Sequence, residues 1–226
     1  MGRLHRLGET LKTAILFDLD GTLIDSTEAI LESFHHALAT HGEVSVSDDR
    51  LITEQIGHPL EVMFSAVGVD ENAVQTHIAT YKLYYREIAC RKTILLPNAR
   101  EAVEEAAAFA RLGIVTTKTG LYSRELMEHF GIMEYFEVLI GREHVENPKP
   151  HPEPIFKALE EMKMPLQGSW MIGDTRLDIE ASNRAGIESV AVLSGYDNAE
   201  QLLTLTDIIK SNALDAVRYI AKRGRK

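Results

Sequence analysis

The organisation of the chain follows from residues 14–23, which read AILFDLDGTL. The apolar run followed by Gly21 predicts a buried strand that leads directly into a tight turn. Since alternate residues of a strand share a face, we expect the carboxylates of Asp18 and Asp20 to point the same way beyond the strand. Two negative charges so close repel unless a cation lies between them, and Mg2+ beside a phosphate is the usual solution. The alternative is a solvated strand end that forms a turn.

The composition is that of a globular protein with one large domain or two unequal ones, since 45% of its 226 residues are hydrophobic. The single cysteine, Cys90, excludes an internal disulfide framework and favours a reducing environment. We find no apolar run of membrane-spanning length and no secretory core after residues 1–6. We therefore expect a cytoplasmic monomer or dimer without a membrane partner. The formal net charge of −10 argues against binding of nucleic acid.

From residue 99 onward the pattern alternates between helices and strands. Helices are predicted at 99–111, 122–131, 153–162, 177–185 and 211–222, and strands at 113–117, 138–141, 169–173, 188–193 and 207–209. Apolar strands separated by helices are typical of a parallel sheet that is covered on both faces. The sequence therefore predicts an α/β fold with a doubly wound, Rossmann-like parallel sheet, which includes the strand at 14–18. The basic residues 222–226 are interpreted as a frayed helix end rather than an interaction patch.

Residues 26–92 have a different pattern, in which apolar side chains such as Ile30, Phe34 and Leu38 recur at helical spacing without a strand pattern. This predicts a small helical domain, here called the cap, inserted after the first strand. The α/β core domain would then consist of residues 13–25 and 93–222. Residues 1–12 and 223–226 would be terminal extensions.

Ligands of such a sheet bind beyond the carboxyl ends of its strands. Seven polar residues are expected there: Asp18, Asp20, Thr116, Thr117, Lys149, Asp174 and Asp178. Carboxylates, a hydroxyl near a helix N-terminus and a lysine held between two prolines are groups that bind Mg2+ and a phosphate together. The sequence therefore indicates chemistry on a phosphate ester at this edge.

Taken in order, these motifs resemble those of the haloacid dehalogenase-like superfamily, and most closely its phosphoglycolate-phosphatase-type branch with a helical cap. The first motif corresponds to residues 18–26 (DLDGTLIDS), the second to Thr116, the third to Lys149 in PKP, and the fourth to residues 173–178 (GDTRLD). The resemblance spans about residues 13–222. Thr117 stands where many relatives carry Asn, and Asn147 stands where Gly is common.

The resemblance implies a role for each catalytic residue. Asp18 would be the nucleophile that forms an aspartyl-phosphate, and Asp20 would be the general acid and then the general base. Lys149 would neutralise the carboxylates and the charge of the transition state.

The resemblance also implies a set of ligands. Mg2+ would be held by Asp18, the main-chain carbonyl of Asp20 and Asp174, with Asp178 in its shell or next to it. Thr116 and its neighbouring amides, with Thr117, would bind the phosphate.

A loop in the cap, residues 57–60 (GHPL), resembles the loop that faces the active site in these relatives. His58 would then contact the leaving group, although a plain turn between helices is an alternative. The function implied is a magnesium-dependent phosphatase for a small, phosphoglycolate-like metabolite. A phosphosugar mutase, an inorganic pyrophosphatase and a catalytically silent binding or regulatory protein on the same fold are alternatives.

Overall fold

The computed structural model describes residues 13–42 and 46–224. The strands of this part of the chain are β1 (Ala14–Phe17), β2 (Ile24–Asp25), β3 (Ile94–Leu95), β4 (Arg111–Val115), β5 (Phe136–Ile140), β6 (Ser169–Gly173), β7 (Glu188–Val192) and β8 (Ile209–Lys210). Its α-helices are α1 (Thr27–Thr40), α2 (Arg50–Thr53), α3 (Leu60–Ala66), α4 (Val74–Lys92), α5 (Ala99–Ala107), α6 (Gly120–His129), α7 (Glu153–Met162), α8 (Arg176–Ala185), α9 (Ala199–Leu203) and α10 (Ala213–Arg223). Short 3-10 helices occupy Met133–Tyr135 and Arg142–His144.

The main sheet has six strands in the order β5-β4-β1-β6-β7-β8, and all neighbouring strands are parallel. Phe17 at the end of β1 pairs with Ile114 on one side and with Ile172 on the other. The carboxyl ends of β1, β4 and β6 therefore lie side by side. The predicted α/β fold with a parallel, Rossmann-like sheet is confirmed.

Alternate residues of β1 face opposite layers of helices, as the period of a strand requires. Ile15 and Phe17 belong to an apolar cluster that includes α5, α6 and α10. Ala14 and Leu16 belong to a second cluster with α7 and α8. Helices cover both faces of the sheet, so its strands are apolar throughout. This explains why apolar and polar residues do not alternate in these segments of the sequence.

The helices α1 to α4 lie between β2 and β3, which pair with each other in antiparallel fashion as a separate two-stranded ribbon. The two crossings of the chain between the sheet and the helices are thus hydrogen-bonded to each other. Inside the cap, the rings of Phe34 and Phe64 stack with centroids 4.2 Å apart, and Tyr81 meets Phe34 edge to face at 5.2 Å. The assignment of residues 26–92 to a separate domain stays a prediction.

Several predicted boundaries differ from the structure. The strand predicted at 113–117 ends at Val115. The Thr116 amide still donates to the Ile140 carbonyl of β5, but the Thr116 hydroxyl accepts from the Lys118 amide, which begins the turn that follows. The helix predicted at 99–111 ends at Ala107, since Arg111 already pairs with the sheet. Strands β2 and β3 and helix α9 were not predicted. Of the basic segment, Lys222 and Arg223 lie in the last turn of α10, whereas residues 225–226, like residues 1–12, lie outside the described residues.

Among residues 13–42 and 46–224, no helix combines the length and the apolar character needed to cross a membrane.

We expect Phe64→Ala to lower the free energy of unfolding by about 3–5 kcal/mol, because the ring is fully buried and its removal leaves a cavity between α1, α3 and α4. Leu83→Ala on α4 is the control, since this side chain is 74% exposed, and its effect should stay within about 0.5 kcal/mol. Urea unfolding followed by far-UV circular dichroism measures both. Equal effects of the two substitutions would contradict the described packing of the cap.

Candidate active site

Three aspartates from separate parts of the chain meet at the carboxyl edge of the sheet. Asp18 follows β1, Asp174 follows β6, and Asp178 lies in the first turn of α8. One carboxylate oxygen from each lies within 4.8 Å of the other two, and all three residues are buried. The register of β1 with β6 explains the meeting, since it ends both strands at the same level. This set of three is here called the carboxylate cluster.

Lys149 supplies a positive charge to the carboxylate cluster. Its Nζ lies 2.9 Å from Oδ1 of Asp18 and 2.5 Å from Oδ1 of Asp178, and it donates to the Val115 carbonyl at 3.0 Å. The residue is only 3% exposed. Burial alone would lower the pKa of the Lys149 ammonium, but the charges of Asp178 and Asp18 outweigh burial and raise the pKa. Lys149 is therefore positively charged at neutral pH.

When all groups are ionised, three carboxylates and one ammonium leave the cluster with two negative charges in excess. Burial, together with the charge of Asp178, raises the pKa of Asp18 to about 7, although Lys149 opposes the shift. Burial and the charges of Asp18 and Asp178 raise the pKa of Asp174 well above its usual range. A divalent cation would balance this excess, and close carboxylate oxygens are the ligands that Mg2+ prefers. The residues present thus fit a magnesium ion.

Asp174 is held in place from both sides. The Thr22 hydroxyl donates to its Oδ1 at 2.8 Å, and the Tyr196 amide donates to its Oδ2 at 3.0 Å. Gly21, whose φ is 81°, and Gly195 pass so close that a Cβ at either position would overlap the Asp174 carboxylate. Glycine is required at Gly21 for the left-handed backbone as well as for the space. The turn after β1 therefore fixes the position of an aspartate from another strand.

Asp178 connects the carboxylate cluster to α8. Its Oδ2 accepts hydrogen bonds from the Thr175 amide at 3.1 Å and the Thr175 hydroxyl at 2.7 Å, while its Oδ1 faces Lys149. A carboxylate in the first turn of a helix is also favoured by the helix dipole. Asp178 is thereby oriented by its own helix and in turn orients Lys149.

The carboxylate of Asp20 lies outside the carboxylate cluster and has its own partners. The Ser26 hydroxyl donates to its Oδ1, and Nζ of Lys118 lies 3.1 Å from its Oδ2. Asp18 and Asp20 are thus each paired with a different lysine. Lys118 was not predicted as a site residue, because its position two residues after Thr116 indicates the carboxyl edge of the sheet but not that its side chain turns towards Asp20.

Thr116 and Thr117 follow β4 directly, but their side chains have different partners. The buried Thr116 hydroxyl accepts from the Lys118 amide at 3.2 Å. The Thr117 hydroxyl donates to the main-chain carbonyl of Gly57 at 2.8 Å and so connects the cap loop to the sheet edge. The binding of phosphate by these threonines stays a prediction.

His58, next to Gly57, lines a cavity together with Asp20, Thr117 and Lys118. Burial and the nearby charge of Arg176 lower the pKa of the His58 imidazole. The structure thus brings His58 from the cap to the same cavity as Asp20. Its role towards a substrate stays a prediction.

Three features define the class of this protein. They are a parallel α/β sheet, buried carboxylates with a lysine at its carboxyl edge, and a set of inserted helices beside that edge. The pattern of the family described as "Haloacid dehalogenase-like hydrolase" matches residues 15–192, and the chain belongs to that family. The resemblance inferred from the four motifs is therefore confirmed.

Two curated relatives that are similar to this chain in sequence carry different names. A phosphoglycolate phosphatase of Escherichia coli K12 is 30% identical over 226 residues, covering 89% of each chain. A protein of Caldanaerobacter subterraneus whose name suggests a pyrophosphatase is 32% identical over 181 residues, covering 80% of this chain and 81% of its own. Among solved structures, a haloacid dehalogenase-like hydrolase from Streptococcus pneumoniae is similar with a TM-score of 0.82 at 28% identity, covering 92% of this chain and 97% of its own.

We expect Lys149→Met to destabilise the metal-free protein by about 3–5 kcal/mol at pH 8, because it leaves buried carboxylates without their counter-charge. Because the pKa of Asp18 is raised to about 7 in the folded state, the folded protein binds this proton more tightly than the unfolded chain. The free energy of unfolding therefore decreases as the pH rises towards 7. The decrease should be larger in Lys149→Met, which lacks the counter-charge of these carboxylates. At pH 5 the effect of Lys149→Met should be smaller.

Thermal unfolding with EDTA at pH 5 and pH 8 measures this difference. Arg86→Met is the control, since its ion pair with Glu125 is exposed, and its effect should be small at both pH values. An equal loss for Lys149→Met at pH 5 and pH 8 would contradict the charge balance of the cluster.

Proposed function

We propose that this phosphatase hydrolyses a compact phosphate monoester in a magnesium-dependent reaction that passes through an aspartyl-phosphate on Asp18. The observation that carries the proposal is that the buried carboxylate cluster, when fully ionised, has two negative charges more than its one lysine partner, Lys149, can balance. Such a cluster is costly unless a divalent cation completes it. The names of the relatives support the same reading, because one is a phosphoglycolate phosphatase.

In the proposed reaction an oxygen of the Asp18 carboxylate forms a bond to phosphorus, and the bond from phosphorus to the leaving oxygen breaks. Asp20 gives its proton to the leaving alkoxide, for which its position outside the carboxylate cluster, at the cavity lined by His58, is suitable. The resulting carboxylate of Asp20 then takes a proton from the water that attacks the phosphorus. As the water oxygen bonds to phosphorus, the bond between phosphorus and the Asp18 oxygen breaks, so inorganic phosphate leaves and the Asp18 carboxylate is regenerated.

The remaining residues bind and orient. Magnesium would be held by Asp18, Asp174 and the main-chain carbonyl of Asp20, and would neutralise phosphate oxygens so that an anionic nucleophile can approach. Asp178 would lie in or next to this shell, since both of its oxygens already have protein partners. Lys149 stabilises the charge of the transition state.

Phosphate oxygens would be bound by Thr116 and Thr117 at the end of β4. The Thr116 hydroxyl has accepted one hydrogen bond and can still donate. The Thr117 hydroxyl donates to Gly57, so the phosphate is proposed to meet the main-chain amides of this turn. Binding of phosphate and docking of the cap loop would then use the same segment.

The cap is proposed to select the substrate. The cavity between the cap and the sheet edge is small, with a volume of about 60 Å³. A leaving group of a few atoms, as in phosphoglycolate, suits this space, whereas a nucleoside does not. His58 lines the cavity and would contact the leaving group.

Inorganic pyrophosphate is a second candidate substrate, which the name of the Caldanaerobacter relative supports. Its leaving group is also compact and anionic. Parallel assays of phosphate release from phosphoglycolate and pyrophosphate compare the two. Transfer of the phosphoryl group to a second site on a sugar phosphate, without release of phosphate, would instead indicate a mutase.

We expect Asp18→Asn to lower phosphate release by several orders of magnitude, because the amide keeps the shape of the nucleophile but not its charge. The measurement is the release of phosphate from p-nitrophenyl phosphate and phosphoglycolate with Mg2+, alongside circular dichroism to check folding. The control is Asp207→Asn, which makes the same change at an exposed residue and should leave the rate unaltered. A phosphorylated residue other than Asp18, identified by mass spectrometry, would overturn the assignment, and a wild type without activity would favour a silent binding protein.

We expect Asp174→Asn to weaken binding of Mg2+ at least about tenfold, because it removes a ligand charge from the buried cluster. Asp20→Asn should leave Mg2+ affinity largely unchanged, since its proposed ligand is the main-chain carbonyl. Calorimetric titration with Mg2+, and the increase of melting temperature that Mg2+ causes, measure binding without relying on activity. Equal loss of affinity in the two variants would refute this division of roles.

A further inference from the structure

Lys118 is a buried cation that the reaction described above does not use. Its side chain is 9% exposed, its Nζ lies 3.1 Å from Oδ2 of Asp20, and it lies 4.5 Å from the ring centroid of Tyr85. Burial would lower the pKa of the Lys118 ammonium, but the charge of Asp20 and the neighbouring Tyr85 outweigh it and raise the pKa well above its usual range. Lys118 therefore keeps its charge inside the protein.

Within residues 13–42 and 46–224, the one carboxylate that forms an ion pair with Lys118 is that of Asp20. An ammonium has three N–H donors. Asp20 takes up one side of the Lys118 ammonium and the ring face of Tyr85 lies on another. The same side chain lines the cavity, so its ammonium can donate to a further acceptor placed there.

The cavity that Lys118 lines is the space where the leaving group would lie. It is bounded by Asp20 and Thr117 from the sheet edge and by Tyr81 and Met63 from the cap. Arg142 lines it as well, and its main-chain amide donates to the Lys118 carbonyl at 3.0 Å. An anionic group in this cavity would meet Lys118 directly, without leaving the reach of Asp20.

We propose that Lys118 recognises a second anionic group, a carboxylate or a phosphate, carried by the leaving group of the substrate. This inference rests on the proposed function, because it places the leaving group in the cavity that Asp20 and Lys118 line. The second anion would form an ion pair with the Lys118 ammonium beside Asp20. Phosphate esters of neutral alcohols cannot form this ion pair.

The test compares esters that differ in this one charge. Wild type, Lys118→Met and Lys118→Arg are assayed with Mg2+ on phosphoglycolate, on ethyl phosphate, which lacks the carboxylate, and on pyrophosphate. We expect Lys118→Met to lower the ratio of kcat/KM for phosphoglycolate to that for ethyl phosphate by about 10–100-fold, as for loss of a charge-assisted hydrogen bond. Lys118→Arg should retain part of the ratio. If Lys118→Met lowers kcat/KM more for phosphoglycolate than for pyrophosphate, the recognised anion is a carboxylate. The opposite order indicates a phosphate.

Lys222→Met is the control, because Lys222 is an exposed lysine in the last turn of α10 and does not line this cavity. It should change the ratio less than threefold. As a readout without turnover, the dissociation constants of phosphoglycolate and ethyl phosphate are measured by calorimetry on Asp18→Asn with and without Lys118→Met. The second substitution should weaken binding of phosphoglycolate selectively.

Failure of the inference and failure of the proposed function would give different results. If Lys118→Met slows phosphoglycolate, pyrophosphate and ethyl phosphate by the same factor, Lys118 only positions Asp20 and the inference is wrong, although the proposed function stands. If wild type releases no phosphate from these compounds or from p-nitrophenyl phosphate, the proposed function itself fails.

Discussion

The interaction on which the site depends is the contact of Lys149 with two buried carboxylates. One ammonium cannot balance Asp18, Asp174 and Asp178 together when all three are ionised. Burial and the mutual repulsion of these carboxylates therefore raise the pKa of Asp18 and of Asp174. Hydrogen-bond donors from Thr22, Tyr196 and Thr175 hold the carboxylates of Asp174 and Asp178 at fixed positions. If the site binds a divalent cation and an anionic substrate as proposed, these fixed groups would stabilise charge without reorganisation.

Much of this arrangement could be predicted from the sequence, because the signals were local. The apolar run at 14–17 predicted β1, and the alternation of helices and strands predicted the parallel sheet. A parallel sheet necessarily brings the residues that follow its strands to one edge, so Asp18 and Asp174 could be placed together without knowledge of distances. Lys149 stood out because two prolines hold it in a short loop.

The rest depended on contacts between distant parts of the chain. Lys118 was missed because its partner, Asp20, is distant in sequence, and nothing in the segment around Lys118 indicates that the side chain turns towards β1. The strands β2 and β3 have two residues each, too few to show a period. The close approach of Gly195 to Asp174 is likewise invisible until the fold is known.

Three consecutive residues after β4 point to three different places. Thr116 remains at the sheet edge, Thr117 bonds to the cap loop at Gly57, and Lys118 lines the cavity beside Asp20. The orientation of each side chain depends on how many residues separate it from the end of β4. Loss or gain of one residue here would rotate all three side chains to the wrong neighbours at once, whereas a substitution disturbs one. The structure therefore constrains the length of this segment more tightly than the identity of any one of its residues.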